Sequence, residues 1–160
     1  MINLVQLHKN MKLAISSNDL PKIKVLVADG ADVKMQDDEF SKSGGFSLLH
    51  YAIQSNNKEI FEYFVSSGIS LNVENRFKNS LLHLASKHNS IDIARFLIAE
   101  VLNIEAEDYN KDTPFSKASS IEMIQLFLDN GVDINTTTKG GYSLLHKGIS
   151  KNSPQPQLKK

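Results

Sequence analysis

Ser47-Leu48-Leu49-His50-Tyr51-Ala52 returns as Ser80-Leu81-Leu82-His83-Leu84-Ala85, then as Thr113-Pro114-Phe115-Ser116-Lys117-Ala118, and again as Ser143-Leu144-Leu145-His146-Lys147-Gly148. The leading hydroxyl residues stand at 47, 80, 113 and 143, so the steps are 33, 33 and 30 residues. A unit of that length cannot bury its own apolar face. It has to stack on its neighbours, and a chain of such units becomes an elongated solenoid.

A second column lies before each phrase or between phrases: Gly30-Ala31-Asp32-Val33, Gly68-Ile69-Ser70-Leu71-Asn72, Val101-Leu102-Asn103-Ile104-Glu105 and Gly131-Val132-Asp133-Ile134-Asn135. Each is preceded by apolar residues at helical spacing, such as Ile60, Phe61, Phe64 and Val65, or Met123, Ile124, Phe127 and Leu128. Gly30, Gly68 and Gly131 sit where these helices must stop. Each Ser or Thr that opens a phrase suits the start of a helix, where its oxygen accepts from an orphan backbone N–H. Pro114 falls just inside one of those starts, where a missing N–H is harmless. The unit is therefore helix, turn, helix, loop.

With the phrases and tails in register, the chain resembles the ankyrin-repeat family, over roughly residues 10 to 152. The resemblance implies an all-α solenoid whose inter-repeat loops pair as β-hairpin fingers at right angles to the helices. Counting by the tails, one domain spans 1–153, with a capping unit at 2–38, repeats at 39–76, 77–109 and 110–139, and a partial repeat at 140–153. The cap, with Lys9-Asn10-Met11-Lys12 in place of the phrase, is expected to turn a polar face to water. The Pro/Gln/Lys-rich stretch 154–160 is expected to be disordered.

Three departures stand out. Gly30 to Gly68 is 38 residues rather than 33, which lengthens the first finger around Gln36-Asp37-Asp38-Glu39-Phe40-Ser41-Lys42. The fourth unit lacks three residues after Ala118 and has Ser116 where its counterparts have His, so its first helix is expected to be about one turn shorter. The last unit has no second helix, which implies a truncated array, a short helix that suffices, or a partner over the edge.

Composition narrows the function. Basic and acidic residues balance at 18 each, with Arg only at 76 and 95, so nucleic-acid binding is disfavoured. There is no cysteine, which excludes disulfides and thiolate metal sites. No stretch approaches the ~20 apolar residues of a membrane span. His50, His83 and His146 recur at least one full repeat apart, too far to share a metal, and the resemblance gives them a backbone-tying role. The acids Asp37, Asp38, Glu39 and Glu105, Glu107, Asp108 lack the spacing of a calcium loop and read as solvated. Gly44-Gly45 and Gly140-Gly141 lack the spacing of a phosphate loop and suit finger turns. No catalytic residue, metal or cofactor is expected.

The resemblance implies instead a protein-binding surface on finger tips and first helices. Carried over by position, it comprises Phe46, Gln54, Ser55, Arg76, Phe77, Asn79, Lys87, His88, Tyr109, Asn110, Asp112, Lys139 and Tyr142. Aromatic residues and Arg at loop tips are the types enriched in binding hot spots. Asn72 and Asn135 are expected to brace the hairpins. The sequence expectation is a monomeric, cytoplasmic, non-enzymatic interaction module or scaffold with an unidentified protein partner. Its rivals are a targeting fragment of a larger effector (acting in a host cell) or of a ubiquitin-ligase adaptor, and an inhibitor of cell-cycle kinases.

Overall fold

The computed structural model describes residues 3–37, 44–100 and 102–136. Lys139, Tyr142, His146, the partial repeat and the tail lie outside the described residues. Within them the chain forms helix pairs: α1 (Leu4–Ser16) with α2 (Leu20–Ala28), α3 (Leu48–Gln54) with α4 (Lys58–Ser66), and α5 (Leu81–Lys87) with α6 (Ile91–Ala99). A single 3-10 turn (Phe115–Lys117) pairs with α7 (Ile121–Asp129). First helices pack on one another in the order α1, α3, α5, 3-10 turn; α4, α6 and α7 pack in a second layer.

Local chemistry explains the ends of these helices. Asp19, Asn57 and Ser120 accept from the third backbone N–H of α2, α4 and α7 at 2.9, 2.9 and 3.1 Å. At the far ends Gly30, Gly68 and Gly131 take φ of 96°, 82° and 87°, where a side chain would be strained. The residue after each glycine donates back to Leu26, Phe64 or Phe127, which closes the helix. The first helices end the same way on Asn18, Asn56 and Asn89, all with positive φ. Asparagine tolerates that conformation better than other L-residues.

The apolar columns fill the space between layers. Leu48, Leu49, Leu81, Leu82 and Phe115 of the first layer are buried, as are Ile23, Ile60, Phe64, Ile93, Leu97, Met123 and Phe127 of the second. Phe61 meets Phe96 edge to face at 5.7 Å, and Phe115 meets Phe127 at 5.8 Å. The chain is an all-α stack with one core running through it.

Three expectations need correction. The fourth unit's first helix is reduced to one 3-10 turn, because Ala118 leaves helical geometry at ψ 131° immediately after it. The fingers carry isolated antiparallel bridges, Gln36 to Ser47 and Glu74 to Ser80, and no strand among the described residues. Ten residues separate the first bridged pair and five the second, and in the finger before α5 a side-chain brace and the left-handed corner hold the backbone in turns beyond the single bridge. The capping unit does not present a purely polar face: Leu4, Val5 and Leu13 on α1 are exposed.

Candidate functional site

The fingers before α5 and before the 3-10 turn are each braced by one side chain nine residues after the end of the preceding helix. Asn75 Oδ1 accepts from the backbone N–H of Phe77 and Asn79, both at 3.0 Å. Asp108 Oδ1 does the same for Asn110 and Asp112, at 2.7 and 3.0 Å. Asp37 occupies the matching place in the first finger. Asn75 and Asp108, and not the exposed Asn72, carry the brace in these fingers; the finger that follows Asn135 lies outside the described residues.

Asp37 and Asp108 also correct the expectation that the acids are solvated. The Asp37 carboxylate is buried, and meets His8 at 2.8 Å, Lys12 at 2.9 Å and the Tyr51 hydroxyl. The Asp108 side chain is 2 % exposed and pairs with Lys117 at 2.9 Å; Lys117 also reaches Asp112 at 2.6 Å. Burial works against the charge on Asp108, but hydrogen bonds from Lys117 and from the backbone of Asp112 and Asn110 outweigh it. Its pKa is held below the usual carboxylate value. Burial likewise opposes the charge on Lys117, and the two carboxylates overcome it and raise its pKa. Glu105 and Glu107 are exposed, as expected.

Tyr51, Leu84 and Lys117 share one column of the phrase; the Tyr51 hydroxyl meets Asp37 and the Lys117 ammonium meets Asp108, while Asn75 takes the corresponding place in sequence before Leu84. Where the phrase offers a hydroxyl or an ammonium, the brace is a carboxylate. Where it offers Leu84, the brace is a neutral amide. A buried carboxylate facing leucine would lack compensation, so the two columns vary together.

The histidines sit inside this scaffold. Nδ1 of His50 and of His83 accepts from the backbone N–H of Ser47 and Ser80, at 3.0 and 3.2 Å, so Nε2 carries the proton in the neutral ring. His83 Nε2 then donates to Asp112 O at 2.9 Å and ties α5 to the next finger. His50 Nε2 is buried with no hydrogen-bond partner among the described residues, under Phe46 stacked at 4.9 Å. Burial pushes the His50 pKa down to about 4 and lowers that of His83 as well.

A pH dependence follows. The unfolded chain binds protons on these rings near 6.5, whereas folded His50 resists to about 4. Stability is therefore complete above about pH 6.5 and is lost as the pH falls toward 4, by about 3 kcal/mol for His50. Urea melts between pH 7.5 and 4.5 should show this slope, and His50→Gln should flatten it to the part that His83 contributes. A pH-independent midpoint above 4.5 would contradict the burial of a neutral ring.

The surface residues divide. Phe77 is 46 % exposed and Tyr109 71 %. The Arg76 guanidinium lies over the Phe77 ring, 4.6 Å from its centre. Backbone hydrogen bonds run from finger to finger: Arg76 N–H donates to Gly44 O at 2.8 Å, and Tyr109 N–H to Phe77 O at 3.1 Å. Gly44 is needed there, since a Cβ would meet the Arg76 stem at 2.9 Å. Asn110, Gln54, Lys87 and His88 are exposed, and Ser55 is half-buried at the end of α3. Phe46 turns inward against His50 and Tyr51, and Asn79 and Asp112 are engaged in their fingers. The structure thus groups Arg76, Phe77 and Tyr109 on adjacent tips and directs Phe46, Asn79 and Asp112 to internal contacts.

Sequence reading missed Lys78 and Lys111, which occupy the left-handed corner of each tip at φ 62° and 61°. Their spacing of one repeat was the available signal. Among the described residues no group of three His, Asp or Glu side chains is placed to hold a metal ion. No helix among them is long and apolar enough to cross a membrane.

Stacked helix pairs with projecting, braced loops define a helical-repeat domain. A model of ankyrin repeats in three copies matches residues 11–108, and one of ankyrin repeats in many copies matches residues 107–155. The chain belongs to the ankyrin-repeat family, whose members are generally protein–protein interaction modules. A search of curated proteins returned no match.

Proposed function

We propose that this chain is a non-enzymatic, monomeric interaction module of the cytoplasm that holds a partner protein on its finger tips and first helices. The repeat boundaries read from the sequence serve as its working units, and Lys139 and Tyr142 extend the surface toward the C-terminus. One observation supports the reading above others: Arg76, Phe77 and Tyr109 stand exposed on neighbouring tips joined backbone to backbone. A preformed surface of this kind loses little conformational freedom on binding, and large rigid aromatics beside Arg are typical anchors.

Affinity capture from lysate tests the reading by comparing wild type with Phe77→Ala/Tyr109→Ala. The double variant should keep its thermal midpoint within about 2 °C, because neither ring is in the core, and lose the captured partner at least tenfold, about 1.4 kcal/mol or more. Identical captured sets would contradict the tip assignment.

A further inference from the structure

The finger that carries Tyr109 is held from two sides. Toward the preceding unit, Tyr109 N–H donates to Phe77 O at 3.1 Å and His83 Nε2 donates to Asp112 O at 2.9 Å. Toward the fourth unit, the Lys117 ammonium of the 3-10 turn reaches Asp108 Oδ2 at 2.9 Å and Asp112 Oδ2 at 2.6 Å. Both carboxylates belong to this one finger, and Asp108 Oδ1 is its brace. A single cation from the next unit therefore holds two like charges together, each within hydrogen-bonding distance of it. The finger before α5 has no such dependence. Its brace is the neutral Asn75, and the residue in the Lys117 column is Leu84.

We propose that the fourth unit and the Tyr109 finger open and close as one conformational switch, linked by Lys117, while the Phe77 finger stays formed. Among the described units the fourth is the one poised to open, since a single 3-10 turn supplies its first layer where the second and third have seven-residue helices. When the turn leaves, Lys117 leaves with it. Asp108 and Asp112 then repel each other across the finger. If Asp108 stays buried it lacks compensation, and if water reaches it, water competes for the oxygen that braces the loop. At neutral pH the bonds to Phe77 and from His83 put no cation in its place, because burial keeps His83 neutral. Phe77 hangs on Asn75 and is untouched, so one half of the tip surface is switched and the other is constant. On the reading that the tips bind a protein, a partner spanning both tips holds the fourth unit closed and is released when it opens. The link between unit and finger does not depend on that reading.

Native-state hydrogen exchange on the full chain tests the link without a partner. Phe127→Leu weakens the fourth unit from within α7, away from the finger in sequence, and should speed exchange of the α7 amides about fivefold. The amides of Tyr109, Lys111 and Asp112 should speed by the same factor, and those of Phe77 and Asn79 by less than about twofold. Phe127→Ala should raise the first two effects to at least about tenfold. In the Asp108→Asn/Lys117→Leu chain, which has no ion pair to break, Phe127→Leu should speed α7 and leave the Tyr109 finger unchanged. Finger amides that ignore Phe127→Leu in the wild-type background, or that follow α7 equally in both backgrounds, would overturn the proposal. So would Phe77 amides that accelerate with α7, or α7 amides unmoved by either Phe127 variant. A captured partner unaffected by Phe77→Ala/Tyr109→Ala would instead remove the tip reading, and with it partner release, while the link stands.

Discussion

Lys117→Leu should lower the unfolding free energy by about 3–5 kcal/mol, because it strands the Asp108 carboxylate in a buried place with its cation removed. Asp108 is 2 % exposed and lies 2.9 Å from the Lys117 ammonium. Leucine itself fits the position, since Leu84 fills the same column one repeat earlier and is buried there. The loss is therefore one of charge compensation and not of shape. Asp108→Asn in the same chain recreates the Asn75 and Leu84 combination of the repeat before, with Oδ1 still able to accept from Asn110 and Asp112. The double variant should recover to within about 1 kcal/mol of wild type, a coupling of about 2 kcal/mol or more. Urea denaturation of the four proteins measures this. A single variant within 1 kcal/mol of wild type, or a double variant as weak as the single, would show that the columns are not coupled.

Phe115→Ala should cost about 3–5 kcal/mol, as phenylalanine truncations in cores do. Phe115 is fully buried and packs edge to face on Phe127. In the second and third units a helix of seven residues supplies the first layer; here a single 3-10 turn does. The larger ring, standing where its counterparts are Leu49 and Leu82, fills space that the missing helical turn leaves. Phe115→Leu should then cost about 1 kcal/mol, from partial underfilling. Hydrogen exchange offers a second readout: in Phe115→Ala the amides of α7 should open well before those of α3 and α5, since a repeat array loses its weakest unit locally. An alanine variant within 1 kcal/mol of wild type would mean that the fourth unit is held by other contacts.

Much of the fold was legible because its signals are periodic. The phrases, the glycine-led tails and the helical spacing of residues such as Ile60, Phe61 and Phe64 each repeat, and these columns mark much of the buried core, though not Leu7, Met11 and Ile15 of α1. The shortened fourth unit was readable from its missing residues, though not that the helix would contract to one turn. The braces were harder. Asp37 and Asp108 lie in polar stretches that look solvated, and their burial depends on partners further along the chain. Asp108 is nine residues from Lys117 and Asn75 nine from Leu84, whereas the lengthened first finger moves Asp37 fourteen from Tyr51. That insertion hides the column in the one unit where the acid is most conspicuous. The asparagine stops at Asn18, Asn56 and Asn89 were likewise visible as a repeat, but asparagine is common enough in loops to pass unnoticed beside glycine.

At the candidate site, position in the sequence put Phe46 with Phe77 and Tyr109 on the surface carried over from the family, and its place one residue before the helix already offered packing as its alternative. The difference arises in three dimensions. Phe46 immediately precedes Ser47 and α3, so its ring falls over His50 and Tyr51, while Phe77 and Tyr109 stand at the corners of their fingers, beyond the braces. Arg76 gains its place over Phe77 because Gly44 of the preceding finger leaves room for its stem.

Site-specific photo-crosslinking tests the central claim, that finger tips hold a partner protein, most directly. A photoreactive residue replaces Tyr109 in one variant and Glu62, exposed on α4 in the second layer, in another. The tip variant should trap a discrete protein adduct in cells, and the Glu62 variant should trap none above background. Adducts from Glu62 alone would place the partner on the opposite layer and contradict the account.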